Sequence, residues 1–213
     1  MTRYEAWPER VVRQNLCMNN KLCAVVVPVI YIDGAAHLVF EVRSSTLDWQ
    51  PGEICFPGGA IEPSDDSAEA AALRETEEEL GIHSSRMYVW GPLDYVESPV
   101  GVTVWPFAAY LDTTAFKLSK NEIDHIFTVP VGWFEDHKPT EAKIELATRP
   151  ADGFPVGLEL SGQTEWEKRQ TYNVYIYHYN GYKIWGITAH IIRNFLDIQR
   201  QMAGSADEAA LQK

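Results

Sequence analysis

Six consecutive residues, Arg74 to Glu79 (RETEEE), bring four carboxylates together directly after an alanine-rich stretch. On a helix, Glu75, Glu78 and Glu79 occupy positions i, i+3 and i+4, so these three side chains are predicted to share one face. Like charges at that spacing destabilise an isolated helix by roughly 0.2–0.5 kcal/mol per pair. A hard divalent cation such as Mg²⁺ takes oxygen ligands and would turn this repulsion into attraction. The pattern therefore predicts a metal site that handles a phosphorylated substrate.

A helix from about Ser67 to Leu80 must position these carboxylates. Asp65 or Asp66 is available as its N-cap, and Gly81 is placed to end it in a left-handed conformation. A short apolar strand, residues 54–56, enters the glycine pair Gly58-Gly59 ahead of the helix. A strand, a glycine-rich loop and an acidic helix are thus predicted to follow one another.

The rest of the chain has more strands than helices. Asp33-Gly34 and Asn180-Gly181 are favoured hairpin turn pairs. A second helix is predicted from Thr188 to Met202, with a frayed tail over 203–213, while the polar stretch 136–171 gives no clear pattern. Strand-like runs cover residues 23–31, 36–43, 87–95, 103–111, 126–131 and 172–185. This pattern predicts an α+β fold in a single domain, residues 1–213.

Composition narrows the class of partner. The 213 residues carry a formal net charge of −12, which disfavours nucleic acid and anionic membrane surfaces, and no apolar segment suggests export. A small anionic substrate fits if metal ions supply positive charge locally. Cys17, Cys23 and Cys55 are odd in number and lack zinc-type spacing, so free thiols in a reducing cytoplasm are expected. The composition leaves a homodimer open.

The segment RETEEELGI, residues 74–82, resembles the second half of the Nudix box, R-E-U-x-E-E-x-G-U, where U is a bulky apolar residue. Thr76 is its one weak match, and Gly58-Gly59 resemble the glycine-rich start of the motif. The box covers about residues 59–82. Its first half departs from the pattern, because the loop carries one extra residue and Asp65 or Asp66 stands where Glu is usual.

The resemblance implies a Nudix-type α/β/α sandwich around a mixed β-sheet and hydrolysis of a diphosphate linkage with Mg²⁺ or Mn²⁺. It assigns Glu75, Glu78 and Glu79 as metal ligands and gives Arg74 the role of orienting Glu75 and Glu78. Arg74, Glu75 and Glu79 form the implied catalytic set. Glu122 is a candidate general base, although a solvated loop carboxylate explains it equally well.

Further upstream, Arg43-Ser44, Gly52 and the FPGG run resemble the coenzyme A pyrophosphatase signature L-L-T-x-R-S-x3-R-x3-G-x3-F-P-G-G. The intervals agree, but VFEVR replaces the LLTxR start and Asp48 replaces the second Arg. Residues 184–189, IWGITA, resemble a segment of the same branch. Arg43, Gly58 and Gly59 are the implied substrate-binding residues, since Arg suits the 3′-phosphate of coenzyme A. A strand-end Arg43 paired with Glu41 or Asp48 is the competing interpretation.

Coenzyme A or an acyl-coenzyme A is therefore the first expected substrate, within the class of small nucleoside diphosphate derivatives. Because Asp48 puts a negative charge where an anionic group would approach, an ADP-ribose or NADH-type pyrophosphatase is the alternative. A non-catalytic nucleotide sensor is an alternative of another class, and so is an acidic scaffold domain. Retention of all three glutamates argues against the sensor.

Overall fold

The structure of the protein, a computed structural model, describes residues 20–155 and 165–211. The strands are β1 Lys21–Ile32, β2 Ala35–Arg43, β3 Ile54–Cys55, β4 Gly58–Ala60, β5 Met87–Pro92, β6 Val96–Ser98, β7 Val102–Leu111, β8 Ile123–Pro130, β9 Thr140–Thr148, β10 Glu167–Tyr179 and β11 Tyr182–Trp185. The helices are α1 Ala68–Leu80, α2 Val131–Asp136 and α3 Gly186–Leu211, with a 3₁₀ turn at Ser84–Arg86.

Strand β1 is the centre of a mixed sheet ordered β3-β2-β1-β7-β5. It is antiparallel to β2 through the hairpin at Asp33-Gly34, where both residues have positive φ, 50° and 80°. It runs parallel to β7, and β4 pairs with its first half. The predicted turn is therefore confirmed, and β4 begins at Gly58 beside the central strand.

A smaller antiparallel sheet, ordered β11-β10-β9, contains the hairpin predicted at Asn180-Gly181. Its strands β9 and β10 occupy much of the stretch 136–171 that gave no pattern. Along β9, Ala142, Ile144 and Leu146 alternate with charged residues, which is the signal for this strand in the sequence, although its side chains are almost all exposed.

Side chains on the two faces of β1 belong to different cores. Val27 packs in a cluster with Ile191 of α3, whereas Val26 packs with Ala71 and Ala72 of α1. Since neighbouring residues of a strand point to opposite faces, the two helices cover opposite sides of the sheet. This confirms the predicted α+β class and the α/β/α arrangement.

The ends of the helices differ partly from the prediction. Ser67 caps α1 by accepting a hydrogen bond from the Ala70 amide, so the proposed aspartate cap is wrong, while Gly81 ends the helix at φ 65° as predicted. Helix α3 continues beyond Met202 to Leu211, through the strong helix formers of the sequence ADEAAL. No described helix is long and apolar enough to cross a membrane. Cys23 and Cys55 are free thiols, and Cys17 lies outside the described residues.

Candidate active site

Arg74 is the organising cation of α1. Its Nε and Nη2 donate to the two carboxylate oxygens of Asp65 at 2.9 Å each, and Nη2 also donates to the Ala60 carbonyl at 3.2 Å. Its Nη1 donates to Glu75 at 2.9 Å. The pair with Arg74 lowers the pKa of Asp65 to about 2. The early carboxylate of the loop, whose role the sequence left open, thus anchors Arg74, which in turn holds Glu75.

Glu75 lies directly over Gly59. A methyl group in place of the Gly59 hydrogen would sit 2.4 Å from Cδ of Glu75, and 2.5 and 2.6 Å from its carboxylate oxygens. Gly59 does not have a positive φ, so its role is to leave room for the carboxylate. Burial raises the pKa of Glu75, against the opposing effect of Arg74.

Glu79 is buried and is held by the other glycine of the loop. The Gly58 amide donates to its Oε2 at 2.7 Å. Burial raises the pKa of Glu79 to about 7 even though this hydrogen bond acts in the opposite direction. Gly58 itself has φ 144°, and a Cβ there would meet the Ala24 carbonyl oxygen at 2.3 Å. Glycine is therefore required at 58 by the backbone and at 59 by a side chain.

The third predicted ligand, Glu78, is the exposed member of the set. Its side chain is 58% exposed and lies 3.6 Å from Nη1 of Arg74, a distance that makes an ion pair without a hydrogen bond. Glu77, interpreted from the sequence as solvated, is half-buried and accepts a hydrogen bond from the Ser84 amide at 2.9 Å. Of the four acidic residues, Glu75 and Glu79 are the two held by donors beside the glycine loop.

Arg43 lies at the end of β2, next to the loop that leads towards Gly58. Its Nη2 donates to the Trp49 carbonyl at 3.3 Å, and its buried Nε has no hydrogen-bond partner among the described residues. Within the described ranges it makes no ion pair with Glu41 or Asp48. The strand-end salt bridge considered from the sequence is therefore not formed there, and the guanidinium retains donors for an anionic ligand.

Glu122 lies just before β8 and beside the end of β2. Its carbonyl accepts from the Ser44 amide at 2.7 Å, and the following residue, Ile123, is paired with Arg43. Its exposed carboxylate is close enough for its charge to raise the pKa values of Glu75 and Glu79. The structure thus brings Glu122 to the α1 carboxylates, which lie 43 or more positions earlier in the sequence.

Glu41 is an acidic residue at this site that the sequence reasoning considered only as a partner for Arg43. It is 0% exposed on β2, and burial, followed by the charge of Glu79, raises its pKa well above its usual range. Its signal in the sequence was a carboxylate within the apolar run LVFEV.

The segment 184–189 supports the loop from the second sheet. Ile184 and Ala189 are fully buried, Trp185 Nε1 donates to Glu53 Oε2 at 2.8 Å, and Thr188 Oγ1 donates to the Ile54 carbonyl at 3.0 Å. These bonds connect the start of α3 to the strand that precedes the glycine pair.

The donor set suits a hard divalent cation. Within 20–155 and 165–211, no three acidic, histidine or cysteine side chains already converge at metal-ligand spacing. Instead, Glu75 and Glu79 accept hydrogen bonds from Arg74 and Gly58. Carboxylate oxygens are nevertheless the ligands that Mg²⁺ takes, commonly one or two of them together with substrate phosphates. The buried oxygens of Glu41, which accept no hydrogen bond from an amide, guanidinium, ammonium or hydroxyl group of the described residues, add to this fit.

Comparisons with known proteins agree with the geometry. The uncharacterized Nudix hydrolase NudL of Escherichia coli K12 is 29% identical over 194 residues, covering 91% of this chain and 89% of NudL. The human mitochondrial coenzyme A diphosphatase NUDT8 is 38% identical over 112 residues, which are 51% of this chain and 48% of NUDT8. A MutT/nudix family protein from Enterococcus faecalis shares the fold at a TM-score of 0.50 and 13% identity, over 93% of this chain and 68% of that protein.

The family model of the NUDIX domain matches residues 23–148, more than half of the chain. That range contains the glycine loop, helix α1, Arg43 and Glu122. The chain therefore belongs to the NUDIX family and is a Nudix hydrolase.

Proposed function

We propose that the protein hydrolyses the diphosphate bond of coenzyme A or an acyl-coenzyme A, giving 3′,5′-ADP and a 4′-phosphopantetheine species. Water adds to one phosphorus, the bridging P–O bond breaks, and the second phosphate leaves. The observation that carries this proposal is that Arg43, at the end of β2, has no described ion pair and keeps guanidinium donors for an anionic group. Its similarity to a coenzyme A diphosphatase over half of its length supports the same substrate.

Glu75, Glu78 and Glu79 are proposed to bind Mg²⁺ or Mn²⁺. When bound, a divalent cation supplies neutralisation of the diphosphate charge and activation of water. Arg74 fixes Glu75 through the hydrogen bond at 2.9 Å, and the Gly58 amide fixes Glu79 at 2.7 Å. Glu122, exposed beside them, is proposed to accept the proton from the attacking water.

Arg43 is proposed to bind the 3′-phosphate of the substrate with charge-assisted hydrogen bonds. Gly58 and Gly59 complete the proposed substrate-binding set. We further propose that the chain forms a single domain, that it acts in the cytoplasm, and that its ligand is a small nucleoside diphosphate derivative.

Asp48 favours a second candidate, an ADP-ribose or NADH-type pyrophosphatase. Its side chain is exposed on the loop that follows Arg43 and makes no ion pair with a described cation. A free negative charge there opposes a 3′-phosphate, which ADP-ribose and NADH lack.

The test is incubation with coenzyme A, dephospho-coenzyme A, ADP-ribose and NADH, each with Mg²⁺ or Mn²⁺, followed by chromatography of the products. We expect the highest kcat/KM for coenzyme A. Good turnover of ADP-ribose or NADH with none of coenzyme A would refute the substrate and favour the second candidate. The control variant Glu79→Gln should be inactive on every compound; unchanged activity in that variant would refute the metal-binding assignment.

A further inference from the structure

Glu41 is a buried carboxyl group that receives no hydrogen bond from an N–H or hydroxyl donor of the described protein; its polar neighbour is the carboxyl group of Glu79. It lies on β2, opposite Cys55 of β3 and Ile126 of β8, and is 0% exposed. Neither of its carboxylate oxygens accepts a hydrogen bond from an amide, guanidinium, ammonium or hydroxyl group of the described residues. A buried charge is normally either paired or bound to a metal ion, because removing a carboxylate from water costs several kcal/mol.

The charged neighbours of Glu41 do not provide that pairing. Arg43, two residues along the strand, directs Nη2 to the Trp49 carbonyl and makes no ion pair with Glu41. The side chain of Glu79, itself buried, lies beside Glu41, and Glu122 also carries its carboxylate near this pair. Glu41 is therefore surrounded by like charge, in a place where a cation would compensate several carboxylates at once.

The residue also departs from the family signature. In the coenzyme A pyrophosphatase signature, L-L-T-x-R, the position of Glu41 is occupied by Thr, which carries no charge. The other candidate ligands come from helix α1, whereas Glu41 comes from the sheet.

We propose that Glu41 is a further metal-binding carboxylate, which contributes an oxygen to the divalent cation bound by the glutamates of α1. This inference rests on the proposed function, since it concerns the same cation. It adds a ligand from a central strand to a set otherwise carried by one helix.

The test is the affinity of the full chain for Mn²⁺ alone, measured by isothermal titration calorimetry and by the electron paramagnetic resonance of free Mn²⁺. Glu41→Gln keeps the shape of the side chain and removes its charge. Glu41→Thr introduces the residue of the signature and serves if the first variant does not fold. Glu77→Gln is the matched control, because it removes one charge from α1 while its amide oxygen can still accept from Ser84.

We expect either Glu41 variant to raise the Kd for Mn²⁺ about 10-fold or more, and to lower the rise in Tm on Mn²⁺ addition, with Glu77→Gln unchanged. Folded Glu41 variants that bind Mn²⁺ within twofold of the wild type would overturn the inference and leave the proposed function standing. Absence of Mn²⁺ binding by the wild type would overturn both. A loss of affinity as large in Glu77→Gln would show a general charge effect and would also overturn the inference.

Discussion

The contact between Gly59 and Glu75 predicts that one added methyl group will disable the site without unfolding the protein. In Gly59→Ala the new Cβ would lie 2.4 Å from Cδ of Glu75, whereas ordinary van der Waals contact begins at 3.4 Å. The carboxyl group must therefore withdraw by about 1 Å. The backbone has no reason to change, because φ at this position is not positive.

A displacement of about 1 Å at a catalytic group costs about 100-fold in rate, which corresponds to about 2.7 kcal/mol of transition-state stabilisation. We therefore expect kcat/KM on the best diphosphate substrate to fall about 100-fold. Unfolding should be little affected, since replacing Gly by Ala in a permitted conformation usually stabilises a protein by about 0.4–1 kcal/mol.

The assay is product chromatography under Mn²⁺ saturation, together with urea denaturation of the same samples. Gly132→Ala is the matched control: Gly132 lies in α2, has no positive φ, and an added Cβ there meets nothing within 4 Å. We expect this control to keep wild-type activity. A folded Gly59→Ala protein with activity within threefold of the wild type would refute the placement of Glu75 over the loop.

Three further predictions follow from the charges. Asp65→Asn removes the ion pair with Arg74. Because the pKa of Asp65 is lowered to about 2, the stabilisation from this pair is present above about pH 4 and is lost as pH falls to about 2. Urea denaturation should therefore show the variant to be less stable than the wild type at pH 6 and less sensitive to acid, with Asp66→Asn as the control. Because burial raises the pKa of Glu79 to about 7, the metal-free protein should lose stability as pH rises from about 5 to 8. In EDTA, Glu79→Gln should make this loss smaller, with the remainder due to Glu41 and Glu75, and an unchanged pH profile would contradict the burial of the Glu79 charge. Asp48→Arg should raise the ratio of kcat/KM for coenzyme A to kcat/KM for dephospho-coenzyme A by about 10-fold, which is the effect of one charge-assisted hydrogen bond. An unchanged ratio would show that the 3′-phosphate does not bind next to residue 48.

Much of this architecture was predictable because its determinants are local. The turn at Asp33-Gly34 needs only residues that accept positive φ, and α1 is specified by its own helix formers and Gly81. The same local rules predicted an aspartate N-cap for α1, but Ser67 caps this helix. Asp65 is instead recruited by Arg74 nine residues later, a competition that sequence spacing does not show.

The features that were not predicted from the sequence depend on contacts between residues that are distant in the chain. Strand β9 places Ala142, Ile144 and Leu146 on one face, but its side chains are almost all exposed, and its neighbour in the sheet is β10, about 25 residues later. From the sequence, Glu41 was considered only as a partner for Arg43, and only the sheet shows it buried beside a helix residue 38 positions away. Arg43 likewise appeared suited to a local salt bridge, but it donates to a backbone carbonyl instead. Long-range packing decides the environment of each of these groups.

The two glycines of the loop have a consequence for how this region tolerates changes in length. Gly58 is bonded to Glu79 and Gly59 lies under Glu75, so the start of the loop and the last two turns of α1 are fixed to each other without the residues between them. The intervening chain, residues 62–66, is mostly exposed and is tied to α1 through the pair of Asp65 with Arg74. An inserted residue can therefore bulge outward there without changing the spacing of the carboxylates. The extra residue of this chain is accommodated in that segment, and libraries that vary its length should retain activity as long as one aspartate can reach Arg74.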